Sequence, residues 1–383
     1  MSAEPAHCFD VAVIGAGPAG CSAALAAAQA GHSVVLVDRA TLPRYKTCGG
    51  GVLARAFQLL PPKASSVVER SFDSVALNFI GTPLNFVARQ PQPMVYMTMR
   101  ADLDHFLAQA AQTAGAQLLD ACPVHGITRR VDCVELASAR GPLTAQFVIA
   151  ADGVHSRIAR ATGWPELPAL APALEHEVWL PPEDFARLSL RPRFDFNVIE
   201  AGYAWAFPKR AHLSVGILST RRVGPDLTAR LADYLRQIGI TRVERVERHG
   251  YLIPLVPRPG ALARDRVLLV GDAAGLADPV TAEGISHALQ SGQLAAAALT
   301  EGGWDPTRVA TIYQSWLEKH ILAELRAARF LARVLYHHPR VRQAAFRWGG
   351  QRLCDFATQV IMGQTSYRAA LRRPASYFKW LTG

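Results

Sequence analysis

The strongest constraint on this chain lies near its start. Six residues, Gly15-Ala16-Gly17-Pro18-Ala19-Gly20, follow the apolar run Phe9-Asp10-Val11-Ala12-Val13-Ile14 and precede an alanine-rich stretch that ends at Gly31. The first run has the length of a buried strand and the alanine stretch that of a helix. Pro18 suits the first helical turn, where its missing N–H costs little, and Gly31 suits the helix stop. Ser33 to Val37 is a second strand, closed by Asp38. Strand, glycine turn, helix and strand form one βαβ unit, which calls for a parallel sheet. The three glycines have separate tasks: Gly15 makes the tight turn, Gly17 lets backbone approach a pyrophosphate, and Gly20 lets helix and strand pack closely. The helix start offers free N–H groups and the positive end of the helix dipole to phosphate. Asp38 suits ribose hydroxyls and would repel a 2′-phosphate, and Arg39 beside it is a further candidate contact. The stretch Val11 to Val37 carries no Lys, Arg, Asp or Glu, yet its glycines and Pro18 break it into these elements, so it is not expected to span a membrane.

Downstream, residues 75–99 alternate apolar and polar positions between Gly81, Pro83, Pro91 and Pro93 and read as antiparallel strands. Arg100 to Ala114 reads as an amphipathic helix and residues 118–136 as strands. Phe147-Val148-Ile149-Ala150-Ala151 and Val267-Leu268-Leu269-Val270 are further buried strands of the parallel type. A proline-rich connector, Trp164 to Pro172, separates them from strand-like runs within 174–220, and Ile285 to Leu299 is a long alanine-rich helix. The expected fold class is α/β (α+β overall). A Rossmann-type domain with a parallel sheet is assembled from 1–74, 100–172 and 259–304. An interleaved antiparallel β-sheet domain for substrate comes from 75–99 and 173–258. A basic helical segment, 305–383, completes the chain.

Composition narrows the partners. Six cysteines, at 8, 21, 48, 122, 133 and 354, include no C-x-x-C pair and do not look like a disulfide framework, so no metal site is expected and a reducing cytoplasm is. Met1-Ser2-Ala3-Glu4-Pro5 has no basic n-region, so no secretory leader is expected. The net charge of +10 is concentrated at the end, where residues 305–383 hold thirteen Lys or Arg and four Asp or Glu. Such a segment suits peripheral contact with anionic lipid at the inner membrane face, an acidic electron carrier or a diphosphate, although charge patterning alone also fits a solvated helical face. No nucleic-acid partner is expected.

Two distant segments extend the glycine loop. Ala150-Ala151-Asp152-Gly153-Val154-His155-Ser156-Arg157 and Val270-Gly271-Asp272-Ala273-Ala274-Gly275 each follow a buried strand. They resemble the second and third fingerprints of p-hydroxybenzoate-hydroxylase-type flavoproteins. That resemblance implies FAD, with its ADP half on the first loop, Asp272 on the ribityl chain, and a following helix start near the flavin ring. Arg100, with Asp102 and Asp104, resembles the family's R-x-x-L/F-D helix start and is expected to contact FAD. The family often carries Arg where this chain has Ala159; here Arg157 and Arg160 flank that position, which leaves the role of Arg157 open.

Three further signatures are Lys46-Thr47-Cys48-Gly49-Gly50-Gly51, Tyr203-Ala204-Trp205-Ala206-Phe207-Pro208-Lys209 and Pro279-Val280-Thr281-Ala282-Glu283-Gly284-Ile285. Together they resemble the geranylgeranyl-reductase branch of the superfamily over roughly residues 9–300. The resemblance implies reduction of isolated prenyl C=C bonds by hydride from reduced flavin N5. Candidate cofactor contacts are then Gly15, Gly17, Pro18, Ala19, Gly20, Asp38, Arg39, Lys46, Cys48, Gly49, Arg100, Asp152, Arg157, Asp272, Gly275, Gly284 and Ile285. Candidate active-site residues are Cys48, Gly49 and Gly50 as a flavin-side loop, and Tyr203 and Trp205 on a substrate face. Cys48 also fits a small buried hydrophobe. Tyr203, Trp205 and Phe207 alternate and so share one strand face, which suits a polyene-like or other hydrophobic substrate or, equally, a sheet core. Glu283 is expected to brace the Gly284-Ile285 turn. The rival readings on the same scaffold are an FAD monooxygenase or halogenase and a flavin-bearing protein without turnover; the halogenase W-x-W-x-I-P box is absent. No second G-x-G-x-x-G is present, so NADPH would bind transiently, or reduced ferredoxin would supply electrons.

Overall fold

The computed structural model describes residues 8–221 and 226–372; the start and the last part of the expected basic segment, 373–383, lie outside the described residues. The strand Cys8–Ile14 runs between two parallel neighbours, Gly141–Ala150 and Val34–Val37, with Val11 opposite both Phe147 and Val34. Being central, it is apolar on both faces, and Val11, Ala12 and Val13 are fully buried. The sheet continues through Gln117–Leu119 on one side and Val267–Leu269 on the other. Antiparallel strands Val124–Arg129 and Val134–Ser138 fold back onto Gly141–Ala150.

The uncharged stretch resolves as strand, helix and strand. The helix Pro18–Gln29 packs on Ile285–Glu301 at very short range. A Cβ on Gly292 would lie 2.2 Å from Ala19 O, and Ser22 Oγ donates to Leu289 O at 3.0 Å. Small residues thus let two backbones approach, which explains why the helix is alanine-rich rather than amphipathic. Among the described residues no helix is long and apolar enough to cross a membrane.

A second sheet of seven strands runs in the order Arg245–Pro254, Leu170–Trp179, Leu213–Ser219, Gly202–Pro208, Arg193–Phe196, Ser74–Phe79 and Asn85–Arg89. Its strands are antiparallel except where Arg193–Phe196 meets Ser74–Phe79. The strand Leu170–Trp179 begins inside the expected proline-rich connector, and Val95–Met97 leaves this sheet, where it was expected, and pairs with Gly51–Leu53 and Arg70–Phe72. This small sheet ties the cysteine-glycine loop to the start of the helix Arg100–Thr113.

Helices Pro306–Leu317, Ala323–His337 and Pro339–Ile361 complete the described chain, with a short last helix, Tyr367–Arg372. The long helix kinks at Gly349, and a Cβ on Gly350 would lie 2.1 Å from the Phe86 ring. The glycine pair therefore bends the helix onto the sheet edge. Its inner face places Phe346, with Tyr336, in an apolar cluster with Phe79, Phe196, Tyr203 and Trp205.

Candidate active site

The glycine loop is shaped by exclusion. Gly15 has φ +108°, and a Cβ there would lie 2.3 Å from Ala151 O. A Cβ on Gly20 would lie 1.8 Å from Gly15 O. At Gly17, by contrast, the nearest group is Arg100 Nη2 at 3.8 Å, so this glycine faces space rather than backbone. No side chain caps the helix that begins at Pro18, although Pro18 and Ala19 are buried. An uncapped start beside open space and a guanidinium is a cradle for anionic oxygens.

Charged groups fix the walls of this cradle. Asp38 Oδ2 accepts from Ala16 N at 2.7 Å and Oδ1 from Ala40 N at 2.9 Å. Arg44 bridges Asp38 at 3.3 Å and Asp104 at 3.1 Å. Arg100 donates twice to Asp104, at 2.8 and 2.9 Å, the bidentate geometry of a fixed guanidinium. Arg44 was not among the residues expected at the site; its partners Asp38 and Asp104 lie six and sixty residues away, which no local pattern connects, whereas Asp104 and Arg100 are the i,i+4 pair of the helix-start signature. Arg39 and Arg157 are exposed. Asp152 Oδ2 accepts from Ile158 N at 3.1 Å, while its buried Oδ1 has no partner, and burial pushes its acid up.

At the other end, Lys46 Nζ lies 3.2 Å from the centre of the Tyr251 ring. Burial, then Arg100, pushes its ammonium down to about 8. Tyr251 donates to Asp272 Oδ2 at a long 3.4 Å. Asp272 is pushed up by burial, against the pull of Lys46 and Arg100. The bare Cα of Gly284 faces Asp272 Oδ1, where a Cβ would stand at 3.5 Å. Gly275 closes the short turn after Asp272 with φ +81°, and a Cβ there would lie 2.6 Å from Val256 O. Ile285 is buried as the first residue of its helix, and Glu283 Oε1 accepts from Ser286 N at 2.6 Å, the bracing anticipated for it.

The Cys48-Gly49-Gly50 loop lies against the aromatic strand face. A Cβ on Gly49 would meet Phe207 at 2.8 Å and Trp205 Nε1 at 3.2 Å. Gly50 has φ +64° and packs under Thr98 O and Lys209 Nζ. Lys209 is 0% exposed and donates to Gly49 O at 2.8 Å and Thr98 O at 2.9 Å. From the far side, Glu175 Oε2 accepts from Cys48 N at 2.8 Å. Cys48 interacts with Arg100 as well. Tyr203 and Trp205 are buried, and Tyr203 donates to Thr281 O at 2.5 Å, joining the second and third signatures. Among the described residues no cluster of His, Cys, Asp or Glu could hold a metal ion.

The donor set fits a dinucleotide that carries a flavin: an anion cradle, buried carboxylates with free lone pairs for hydroxyls, and a glycine loop beside an aromatic wall. Comparison agrees. A profile described as an FAD binding domain matches residues 8–177. A menaquinone reductase of Mycolicibacterium smegmatis is 31% identical, covering 85% of this chain and 84% of that protein. A digeranylgeranylglycerophospholipid reductase of Methanopyrus kandleri is 31% identical, covering 85% and 90%. The crystal structure of a geranylgeranyl bacteriochlorophyll reductase-like protein from Thermoplasma acidophilum superposes with TM-score 0.73 at 21% identity, over 93% and 92% of the chains. A flavin-dependent brominase superposes with TM-score 0.75 at 16% identity, over 97% and 100%, a likeness of fold alone. The chain belongs to the geranylgeranyl reductase family of FAD-dependent oxidoreductases.

Proposed function

We propose that this enzyme reduces isolated C=C bonds in the prenyl chain of a hydrophobic substrate. The observation that carries the reading is the seating of the Cys48-Gly49-Gly50 loop, pinned by Lys209 and Glu175, against Trp205 and Phe207. Reduced FAD, when bound, supplies the hydride. The protein's contribution is to align an uncharged chain and keep water away from it. Gly15, Gly17, Pro18, Ala19 and Gly20 hold the pyrophosphate, Asp38 and Arg39 the ribose, and Arg100 and Lys46 the negative charge. Asp152 and Arg157 line the path between the halves, Asp272 takes the ribityl hydroxyls, and Gly275, Gly284 and Ile285 lie beneath the ring. Tyr203 and Trp205 form the substrate wall. The electron donor is transiently bound NADPH or reduced ferredoxin.

The relatives named above act on prenylated lipids or quinones by name, which supports a membrane-borne substrate for this chain. A cytoplasmic enzyme working peripherally at the inner membrane face would need a docking surface. Between 325 and 354 the chain has seven arginines and no acidic residue. Phe330, Val341 and Trp348 are 58%, 55% and 80% exposed along this stretch. Arginine with exposed Trp and Phe is the composition of an interfacial helix on anionic lipid.

The test is anaerobic. The enzyme, reduced and given geranylgeranyl diphosphate or a prenylated quinone, should yield product heavier by two hydrogens per step. Flavin reoxidation only by oxygen, with a hydroxylated or halogenated product, would overturn the reading.

A further inference from the structure

Two carboxylates stand behind the cysteine loop, outside every sequence signature. Glu175 and Glu177 lie two apart on the strand Leu170–Trp179 and so share a face, and each is only 1% exposed. Glu175 touches the site at two points. Oε2 accepts from Cys48 N at 2.8 Å, and Oε1 accepts from Ser214 Oγ at 2.5 Å. Ser214 Oγ in turn accepts from Trp205 Nε1 at 3.4 Å. One carboxylate therefore holds both the flavin-side loop and the aromatic wall.

We propose that Glu175 is a positioning residue that sets the Cys48 loop and the Trp205 ring together, and that taking up a proton loosens both at once. The inference rests on the reductase reading for its bearing on turnover, but not for its chemistry. As a carboxylate, Glu175 accepts from Cys48 N–H and Ser214 O–H simultaneously. Once protonated, the carboxyl gains an O–H that must itself find an acceptor. Donating to Ser214 reverses that hydrogen bond and strands the serine proton in a buried site; donating elsewhere costs the charge assistance to Cys48.

The surroundings make this proton accessible near neutrality. Burial, then Glu177 beside it, pushes Glu175 up to about 7. The Ser214 and Cys48 hydrogen bonds and Lys209 act against this, and other titratable groups face the pair from each packed element. Lys209 reaches it from the end of the aromatic strand and favours the charged form. His249 is its cross-strand neighbour on Arg245–Pro254. His212 Nε2 stands 2.9 Å from Glu177 Oε2, off the line of a hydrogen bond. Tyr45, from the loop before Cys48, donates to Glu177 Oε1 at 3.5 Å and is 39% exposed, which links the pair to solvent.

The test follows iodoacetamide alkylation of Cys48 in the full-length protein from pH 5.5 to 8.5. Peptide mass spectrometry gives its rate relative to Cys133 in the same molecules. The wild-type ratio should fall about fivefold as pH rises, with a midpoint near 7, as the charge-assisted bond to Cys48 N forms. Glu175→Gln should stay flat at the acid level. Glu177→Gln, which keeps both Glu175 bonds and is readable even if Glu175→Gln folds poorly, should shift the midpoint to lower pH. A wild-type ratio without this inflection, or an inflection retained in Glu175→Gln, would overturn the proposal. In turnover, Glu175→Gln should flatten the pH profile of kcat with KM unchanged; an unaltered profile counts against positioning. Wild-type protein that shows the alkylation inflection but reduces no prenyl chain would instead overturn the reductase reading.

Discussion

Lys209→Met is the sharpest perturbation of the loop that the structure offers. The methionine chain nearly fills the volume of the lysine but removes its ammonium. Thr98 O, held at 2.9 Å, then loses its donor in a buried site, and Gly49 O, held at 2.8 Å, loses its donor in a half-buried one. Each unsatisfied buried carbonyl costs about 1–3 kcal/mol. Relief from burying the ammonium, less its attraction to Glu175, offsets part of this. A net local loss of about 2–3 kcal/mol corresponds to roughly 30- to 150-fold easier opening of the loop. Hydrogen exchange reads that directly. Peptides covering 46–53 should lose protection by this factor, while the strand Cys8–Ile14 keeps its own. The first helix and its glycine cradle lie outside the damage, so FAD should still bind, with an altered flavin absorption envelope. If protection of 46–53 is unchanged, or if all strands lose it equally, Lys209 is not a local clamp and the reasoning fails.

Other perturbations separate the remaining parts of the site. Gly17→Ala has room for its methyl group in the folded protein, with only Arg100 Nη2 at 3.8 Å, so the melting temperature of the FAD-free protein should hold. Flavin-fluorescence titration should nonetheless show at least about tenfold weaker FAD binding, because the methyl group occupies the phosphate approach. Stability of the FAD-free protein should fall between about pH 4.5 and 7, by up to ~3 kcal/mol in urea titrations. The folded state holds the Glu175 proton across this window while the unfolded state has released it, so raising pH favours unfolding. Glu175→Gln should flatten the neutral end of that slope, while the raised acids of Asp152 and Asp272 keep a part of it at lower pH. Binding to vesicles containing anionic lipid should weaken steeply with salt and drop further in Trp348→Ala, measured by cosedimentation; salt-independent binding would remove the basic face from the account.

Much of the cofactor half could be read from residue order, because its chemistry is local. A positive-φ glycine at 15, a helix opened by Pro18 and a small-residue helix face are set by the backbone and Cβ of a few consecutive residues. The parallel sheet followed from strand length and the glycine turn, and the aromatic face from alternation at 203, 205 and 207. The clamp on the cysteine loop was not legible in this way. Glu175 and Glu177 alternate along a strand just as solvent-facing acids do, and Lys209 ends a strand where a lysine is usually wet. Their burial depends on partners 127 and 160 residues away, Cys48 and Gly49, which meet them only when the second sheet packs against the loop. Val95–Met97 changed sheets for a related reason: a short apolar strand pairs with whichever edge the fold presents. The residues of this chain determine that it cradles a dinucleotide; only tertiary structure decides which charges stand behind the loop, because a buried ion is defined by what surrounds it.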